Sequence, residues 1–579
     1  MSKLNVDQKT IKDLLTDRSA NFLIPDYQRP YAWGEVECQT LWDDIFTFAF
    51  PDENKDAFNT NDEYFLGAIV TYKNNNKQSE VIDGQQRLTT ILLLLRAFYD
   101  RFEHMADKPS KDTRNIISQC IWQTDEFGNA DMKHLKIDSE VATDDEKEEF
   151  LSILKTGIPS KKATSKYAKN YRFFEKNIEN FIGRFAAYLP YFPARILNNC
   201  ILLPIEADSQ DTALRIFSTL NDRGLPLADA DIFKAQFYKF FQKLGTKDEF
   251  IDNWKELSSR AERIFNPVYG TPMDELFTKY MYYIRASEGN KSTTTEALRK
   301  FYEHKNYSRL LNGDTIDVLL SLMDFWESIY DQNENRFSEE VLKKLFVLKY
   351  APNGMWEYIT SVYFLSYRDN EGNLNDAKFI EFLSKITSFI YAYALTNPGV
   401  NALRTPLYAE MVKIYNKQQC DFSDFKFARD HISKVLDNYK FTNNRDVTRS
   451  LITWYAFTFE EQKRPMDATG FDIEHIYAKE RHNKENKLQN PDNLEELGNK
   501  ILLEKSINIR AADYRFNDKK RYYIGYSDAK GKEYKKSIIA EYAYLTQKDD
   551  FLEEDIVERD KLIHEKFINY LKVEGLLKD

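Results

Sequence analysis

The first 240 residues of the chain alternate between two hydrophobic textures. Tyr64-Phe65-Leu66-Gly67-Ala68-Ile69-Val70-Thr71-Tyr72 is rich in β-branched and aromatic residues and runs into Asn74-Asn75-Asn76, a turn signal. Glu80-Val81-Ile82 follows at once, so the two runs predict a hairpin. Residues 87–98 are apolar on nearly every face, the pattern of a buried helix. Cys200-Ile201-Leu202-Leu203-Pro204-Ile205 predicts a further strand and residues 212–220 a further helix. From about Phe237 to Phe459 the text turns helical, with Tyr, Phe and Trp at three- and four-residue spacings, as in residues 280–284, 319–330 and 379–393. Such aromatics predict the core of a helix bundle, and no fixed period marks a solenoid. The text then changes again: Lys, Asn and Asp rise, and a charged helix is predicted over 553–571. These patterns predict an α+β protein in three regions: an α+β domain over 1–240, a helical middle over 241–455 and a C-terminal domain over 456–579.

Composition narrows the class. Of 579 residues, 42% are hydrophobic and 15% aromatic, enough for sizeable cores, while 16 Pro and 19 Gly argue against long disordered linkers. The 81 basic and 92 acidic side chains leave a net charge of −11, which opposes coating nucleic acid through bulk charge yet permits a local basic groove. One such stretch lies at 515–536, where eight Lys/Arg face three acids. The apolar run 91–95 is far too short to span a bilayer, the first residues hold no apolar signal core, and Cys38, Cys120, Cys200 and Cys420 form no CxxC pair. A soluble cytoplasmic protein with no membrane partner is expected.

The most chemical text is Phe471-Asp472-Ile473-Glu474-His475-Ile476, then Leu497-Gly498-Asn499-Lys500, Asn508, and Phe516-Asn517-Asp518-Lys519. Phosphodiester hydrolysis needs a base near neutral pKa and a divalent cation held by hard oxygen ligands. His475 can be the base. Glu474 or Asp472, with the amide oxygen of Asn508, can supply metal ligands that suit Mg²⁺ or Mn²⁺ rather than zinc. On a strand Asp472 and Glu474 share one face and His475 takes the other, so all can flank one phosphate only where the strand ends or bends. Taken alone, the Glu-His pair reads as a surface salt bridge.

A second string, Asp83-Gly84-Gln85-Gln86-Arg87, joins a predicted strand to the buried helix. Such a junction offers free backbone N–H groups and a positive dipole end to phosphate, and Arg87 can grip phosphate oxygens bidentately. Asp83 can bind a metal or orient water; the plainer alternative is a tight turn with a capping Asp. Upstream lies Ile24-Pro25-Asp26-Tyr27-Gln28-Arg29-Pro30-Tyr31-Ala32-Trp33, whose aromatics can stack on a base or simply pack the domain. No GxxxxGK[ST] is present, and Gly525 to Gly531-Lys532 is a near miss that reads as a basic loop.

The spaced C-terminal set resembles the HNH, or ββα-metal, nuclease motif. That resemblance implies His475 as general base, Asn499 as the brace of the metal loop, Asn508 as the helix metal ligand and Lys519 as a phosphate holder. Glu474 stands where Asp is commoner, and Ala478 where Pro is usual. The N-terminal strings resemble the ParB-like domain of GmrSD-type restriction endonucleases. A third match is Phe217-Ser218-Thr219-Leu220-Asn221-Asp222-Arg223-Gly224-Leu225-Pro226-Leu227, followed by Asp231 and Lys234. The resemblance implies a nucleoside triphosphate site drawing on Gln28, Arg29, Asp83, Gly84, Gln85, Gln86, Arg87, Asn221, Arg223, Gly224, Asp231 and Lys234, with Asp83 and Arg87 catalytic. It further implies NTP- and Mg²⁺-dependent cleavage of modified double-stranded DNA in defence against phage, in a chain free to form a homo-oligomer. Relatives act on glucosylated hydroxymethylcytosine or sense phosphorothioate DNA, so the resemblance does not fix the mark, nor which NTP is used. Two alternatives stand: a nucleotide-gated DNA clamp with weak or no nuclease activity, and an HNH nuclease in which residues 83–87 are structural. Intact His475 and Asn508 favour the enzyme over the clamp.

Overall fold

Asn74 turns the chain where its sequence suggests, its Oδ1 accepting the backbone N–H groups of Asn76 and Gln78 at 3.0 Å each. The strands it joins, Tyr64–Lys73 and Ser79–Asp83, pair antiparallel as the predicted hairpin. The computed structural model describes residues 5–6, 8–103, 105, 107–141, 144–160, 164–210, 212–213, 216, 228–267, 269–399, 401–465, 470–485, 487–512 and 515–578. The string 217–227, with Asn221, Arg223 and Gly224, and most of the helix predicted over 212–220 lie outside the described residues. The chain divides into two compact units, Met1–Lys255 and Glu256–Asp579, the second holding both the helical middle and the C-terminal constellation. It is mixed α/β and mostly helical. Among the described residues no helix is long and apolar enough to cross a membrane.

The first unit is built on a seven-stranded mixed sheet: β1 Asn5–Val6, β2 Lys9–Thr10, β3 Phe22–Ile24, β4 Tyr64–Lys73, β5 Ser79–Asp83, β6 Ile137–Ser139 and β7 Cys200–Ala207. Its order is β1-β7-β4-β5-β3-β6, with β2 also pairing β7. Strand β4 is parallel to β7, and β3 is parallel to both β5 and β6. Helix α1, Gln85–Arg101, leaves β5 through Gly84 and is buried without interruption from Leu88 to Tyr99, as an all-round apolar sequence requires. Helix α2, Lys166–Phe185, packs beside it, and α3, Asp229–Leu244, begins just after the undescribed residues 217–227.

In the second unit helices meet through stacked rings, the expected use of the regularly spaced aromatics. Phe325 of α4, Thr315–Tyr330, stacks on Phe364 at 4.2 Å between centroids. Helix α5 spans Glu339–Leu348, α6 Met355–Tyr367 and α7 Asp376–Thr396, and Tyr363 of α6 stacks on Phe382 of α7 at 4.0 Å. Helix α8, Asp446–Ala456, leads to strand β8, Phe471–His475, which pairs antiparallel with β9, Lys500–Glu504. Helices α9, Lys505–Ala511, and α10, Phe516–Ile524, come next, then the small hairpin β10, Tyr526–Ser527, and β11, Glu533–Tyr534, and the long α11, Glu553–Val573. The P-loop near miss falls in that hairpin, which Gly531 turns with a φ of +79°.

Candidate active site

Strand β8 ends at His475, opposite Lys500 of β9. Alternation along the strand sends Asp472 and Glu474 to one face and His475 to the other. The hydrogen bonds follow that division. Asp472, half-buried, accepts from the Asn508 side-chain amide of α9 at 3.3 Å. Glu474 is buried and accepts from Lys519 at 2.6 Å and Tyr523 at 2.9 Å, both on α10. Lys519 also donates to the His475 carbonyl at 2.8 Å. At 1% exposure and bonded to two acceptors, the Lys519 ammonium lies inside the fold, so the structure places it as an internal brace and not at the surface where a phosphate would meet it. Glu474 is likewise occupied by a cation already. Of the two candidate carboxylates, Asp472 is the more accessible.

On the other face His475 belongs to a polar chain. Lys500 Nζ lies 2.6 Å from His475 Nε2, 2.7 Å from Glu495 and 2.8 Å from the Asn443 amide oxygen. Lys479 reaches the second Glu495 oxygen at 2.6 Å. Burial, more than any charge, lowers the imidazole pKa below its usual 6.5, and the nearby lysines add to this while Glu495 opposes it. Burial also pulls the Lys500 ammonium down to about 8, and the bonds from His475, Lys479 and Lys500 hold Glu495 well below the usual carboxylate range against its own burial. A charged Lys500 donates one hydrogen to each of its three neighbours. His475 then accepts at Nε2 and carries its own proton at Nδ1.

Asn499, fully buried, holds the turn beyond His475. Its Oδ1 accepts from Tyr477 N at 2.7 Å, and its amide donates to the Tyr477 and Leu494 carbonyls at 3.2 Å each. Helix α11 closes on the same segment. The Arg559 guanidinium donates to the carbonyls of Leu497, Gly498 and Lys500 at 2.8–2.9 Å and is paired with Glu541. A side chain at Gly498 would meet the Ile556 carbonyl at 2.0 Å, so only glycine allows this approach. Glu495 and Asn443 carry no motif, and Lys500, though it follows Asn499 in the Leu497-Gly498-Asn499-Lys500 string, is singled out only by its register opposite His475. Among the described residues no cluster of three or more His, Cys, Asp or Glu side chains is placed to hold a metal. Asp472 and Asn508 could offer a hard-oxygen pair were the amide turned to present its oxygen.

In the first unit the strand–turn–helix junction is as the sequence reads. Gly84 has φ +88°, and a Cβ there would sit 2.9 Å from Ile69 and 3.0 Å from the Ala68 carbonyl. Asp83 Oδ1 accepts the Gly84 N–H at 2.7 Å, and burial raises its pKa against the pull of that bond, Arg87 and Arg29. Arg87 donates to Ala68 O at 2.8 Å, its guanidinium passing where a Gly67 side chain would be. The glutamines are bonded to backbone. Gln85 donates to Arg29 O, Gln86 accepts from Ala32 and Trp33, and Gln28 donates to Val81 O and Ile82 O. Lys234 of α3 donates to Gln28 O at 3.3 Å, and burial lowers its pKa to about 8 despite Asp231 and Asp26. Strings far apart in sequence thus meet beside Asp83, and Arg29 is exposed there. Tyr27 and Tyr31 are buried, stacked or tilted against Tyr238 and Tyr167, so these two pack the domain rather than offer a face to a base. Trp33 is half-buried.

Two family models match the chain: the GmrSD restriction endonuclease N-terminal domain over residues 11–238, and the GmrSD restriction endonucleases C-terminal domain over 413–566. Together they cover more than half of it and hold both sites. The chain belongs to the GmrSD restriction endonuclease family. As a GmrSD restriction endonuclease it has DNA as its substrate. The GmrSD C-terminal match begins upstream of α8 and spans the whole set from Asn443 to Arg559. No curated protein matches the chain.

Proposed function

We propose that this GmrSD protein cuts modified double-stranded DNA by metal-assisted phosphodiester hydrolysis of the HNH type, under control of a nucleoside triphosphate bound by the first unit. The observation that carries the reading is a histidine kept neutral by burial at the last residue of β8, on a strand whose other face turns Asp472 toward Asn508. Two strands followed directly by a helix supply these groups, in the chain order of the HNH motif. Asp472 and Asn508 would hold Mg²⁺ or Mn²⁺, which supplies Lewis-acid stabilisation of charge on the scissile phosphate. His475 takes the proton from the attacking water at Nδ1, the nitrogen Lys500 does not touch. That nitrogen is free when Lys500 gives up a proton and accepts from Nε2–H instead. Asn499, Lys519 and Arg559 hold the backbone around the histidine.

In the first unit Arg29, Lys234 and Arg87, with the N-terminus of the 17-residue α1, form the cationic side of the NTP site, and Asp83 orients the attacking water. Phosphate contacts carry no base information, and the rear residues all address a phosphate, so discrimination of the modification falls to the first unit. Cleavage of matched unmodified, hydroxymethylated, glucosylated and phosphorothioated DNA, with NTP and Mg²⁺, tests this. Preference for one modified substrate, abolished without loss of nicking in a first-unit variant such as Trp33→Ala, supports the reading; equal cutting of all four overturns it.

A further inference from the structure

The second unit holds a cavity of about 360 Å³ that none of the residues above explains. Its walls come from α5, α7, α8 and α11. Three of its lining side chains are lysines, Lys343, Lys344 and Lys566, against a single carboxylate, Glu340. Its aromatic wall is Trp454, Phe457 and Tyr570, and Trp454 stacks on Tyr570 at 5.3 Å between centroids. The volume lies in the range of small-ligand pockets, which are mostly apolar with a few convergent polar groups.

The lysines are placed at a cost. Lys343 and Lys344 are half-buried, and neither side chain makes a hydrogen bond or ion pair with any described residue. Burial lowers the Lys344 pKa although Glu340 and Glu574 pull it up. Lys566 is also lowered by burial; it donates to the Thr458 hydroxyl at 2.9 Å and lies over the Tyr455 and Phe459 rings. A bundle core needs no cation here, and a desolvated ammonium without an acceptor destabilises the fold. A multiply charged anion in the cavity would remove that penalty, and the aromatic wall would favour a planar apolar body on the same ligand.

We propose that this cavity binds a nucleoside phosphate, its base against Trp454, Phe457 and Tyr570 and its phosphate on Lys343, Lys344 and Lys566. The site is distinct from the proposed NTP site, which lies in the other unit. It also adjoins the nuclease strand: Phe457 stacks on Phe346 at 5.0 Å, and Phe346 meets Phe471, the first residue of β8, edge-on at 6.4 Å. The ligand is either a free nucleotide or a nucleotide of a DNA strand, since both present the same base and phosphate.

Photolabelling of the full chain with 8-azido-2′-deoxyadenosine monophosphate, followed by peptide mapping, tests the site without any substitution. Label on the segments 454–458 or 566–573, suppressed by excess dAMP but not by equal inorganic phosphate, is the expected result. Label confined to the first unit, or equal suppression by phosphate, overturns the proposal. Calorimetric titration with dAMP should then show at least about tenfold weaker binding in Lys344→Gln, with the exposed Lys108→Gln unchanged, because a charge-assisted contact is removed only in the former. Unchanged binding in Lys344→Gln together with Thr458→Val overturns it as well. Suppression of the label by a six-nucleotide single strand identifies a DNA strand as the source, and its absence identifies the free nucleotide; either leaves the site in place.

Discussion

The junction at Asp83 and the strand end at His475 solve similar problems with opposite uses of polar groups. At the front, Gln28, Gln85 and Gln86 are tied to backbone, and the charged side chains face one another more loosely: Arg29 is exposed, and Lys234 donates to one carbonyl with Asp231 and Asp26 nearby. At the rear, charged groups are matched to each other, in Glu495–Lys500–His475 on one face of β8 and Glu474–Lys519 on the other. On the proposed reading, an exposed cation such as Arg29 is suited to a ligand that brings negative charge and departs. A rear site with matched charge is suited to holding one imidazole in one protonation state. On that reading the front takes up charge with its ligand, whereas the rear imidazole is held in place before DNA arrives and its Nδ1 is freed as Lys500 loses a proton.

Removing one centre and reading the other puts this contrast under the most strain. His475→Ala should lower plasmid nicking by about 10²–10⁴ while leaving NTP hydrolysis unchanged, the usual range for loss of a general base. Asp83→Ala should do the reverse, abolishing phosphate release while the rear site keeps its chemistry. Wild-type nicking by purified His475→Ala would end the HNH assignment. Asn508→Ala should lose metal affinity, so that excess Mn²⁺ restores part of its rate.

The next effect is one of pH, about tenfold. Cleavage needs a neutral His475, whose pKa lies below 6.5, so the rate falls as pH drops through that value. If Nδ1 is the base, the rate also needs Lys500 to have given up a proton. With a Lys500 pKa of about 8, the amine is mostly charged at pH 7 and mostly neutral at pH 9, so the rate should climb about tenfold between them. In Lys500→Met this upper step should vanish while the lower one remains. A flat profile from pH 7 to pH 9 in the wild-type protein would show that the Lys500 proton does not gate the base, and would end the assignment of Nδ1.

The two sites are not equally legible in the sequence. Gly84 can be read directly, since a glycine between a strand and a buried helix marks a tight junction, here one with positive φ. His475 and Asn499 can be read from their spacing. Lys519 misleads, because a lysine after a motif suggests solvent and phosphate, whereas α10 turns it inward onto Glu474; helix phase, not composition, decides that. Tyr27 and Tyr31 are ambiguous for a related reason: an aromatic in a polar string is buried or not according to partners such as Tyr238 and Tyr167, more than a hundred residues away. Lys500 and Arg559 stand in strings that can be picked out, but their roles carry no local signal, because one acts through cross-strand register and the other through the packing of α11. Sequence periodicity reports which face is apolar; it does not report which buried charges find each other.

The smallest predicted effect concerns the basic stretch beside the rear site. Of its eight cations, Lys519 is internal and Arg515 is paired with Glu485 at 2.6 Å, so the count overstates what DNA meets. Arg521, Lys530, Lys532, Lys535 and Lys536 are exposed on α10 and around the β10–β11 hairpin. Removing one cation from a duplex phosphate should lower the slope of log affinity against log salt by about 0.9. Lys535→Ala with Lys536→Ala should therefore reduce the slope by up to about 2 and weaken binding equally for modified and unmodified DNA. The cleavage rate at saturating DNA should not change, because neither lysine touches His475, Asp472 or Asn508. A change in preference among DNA modifications in this variant would place part of the reading at the rear, and the separation of reader from cutter would fail.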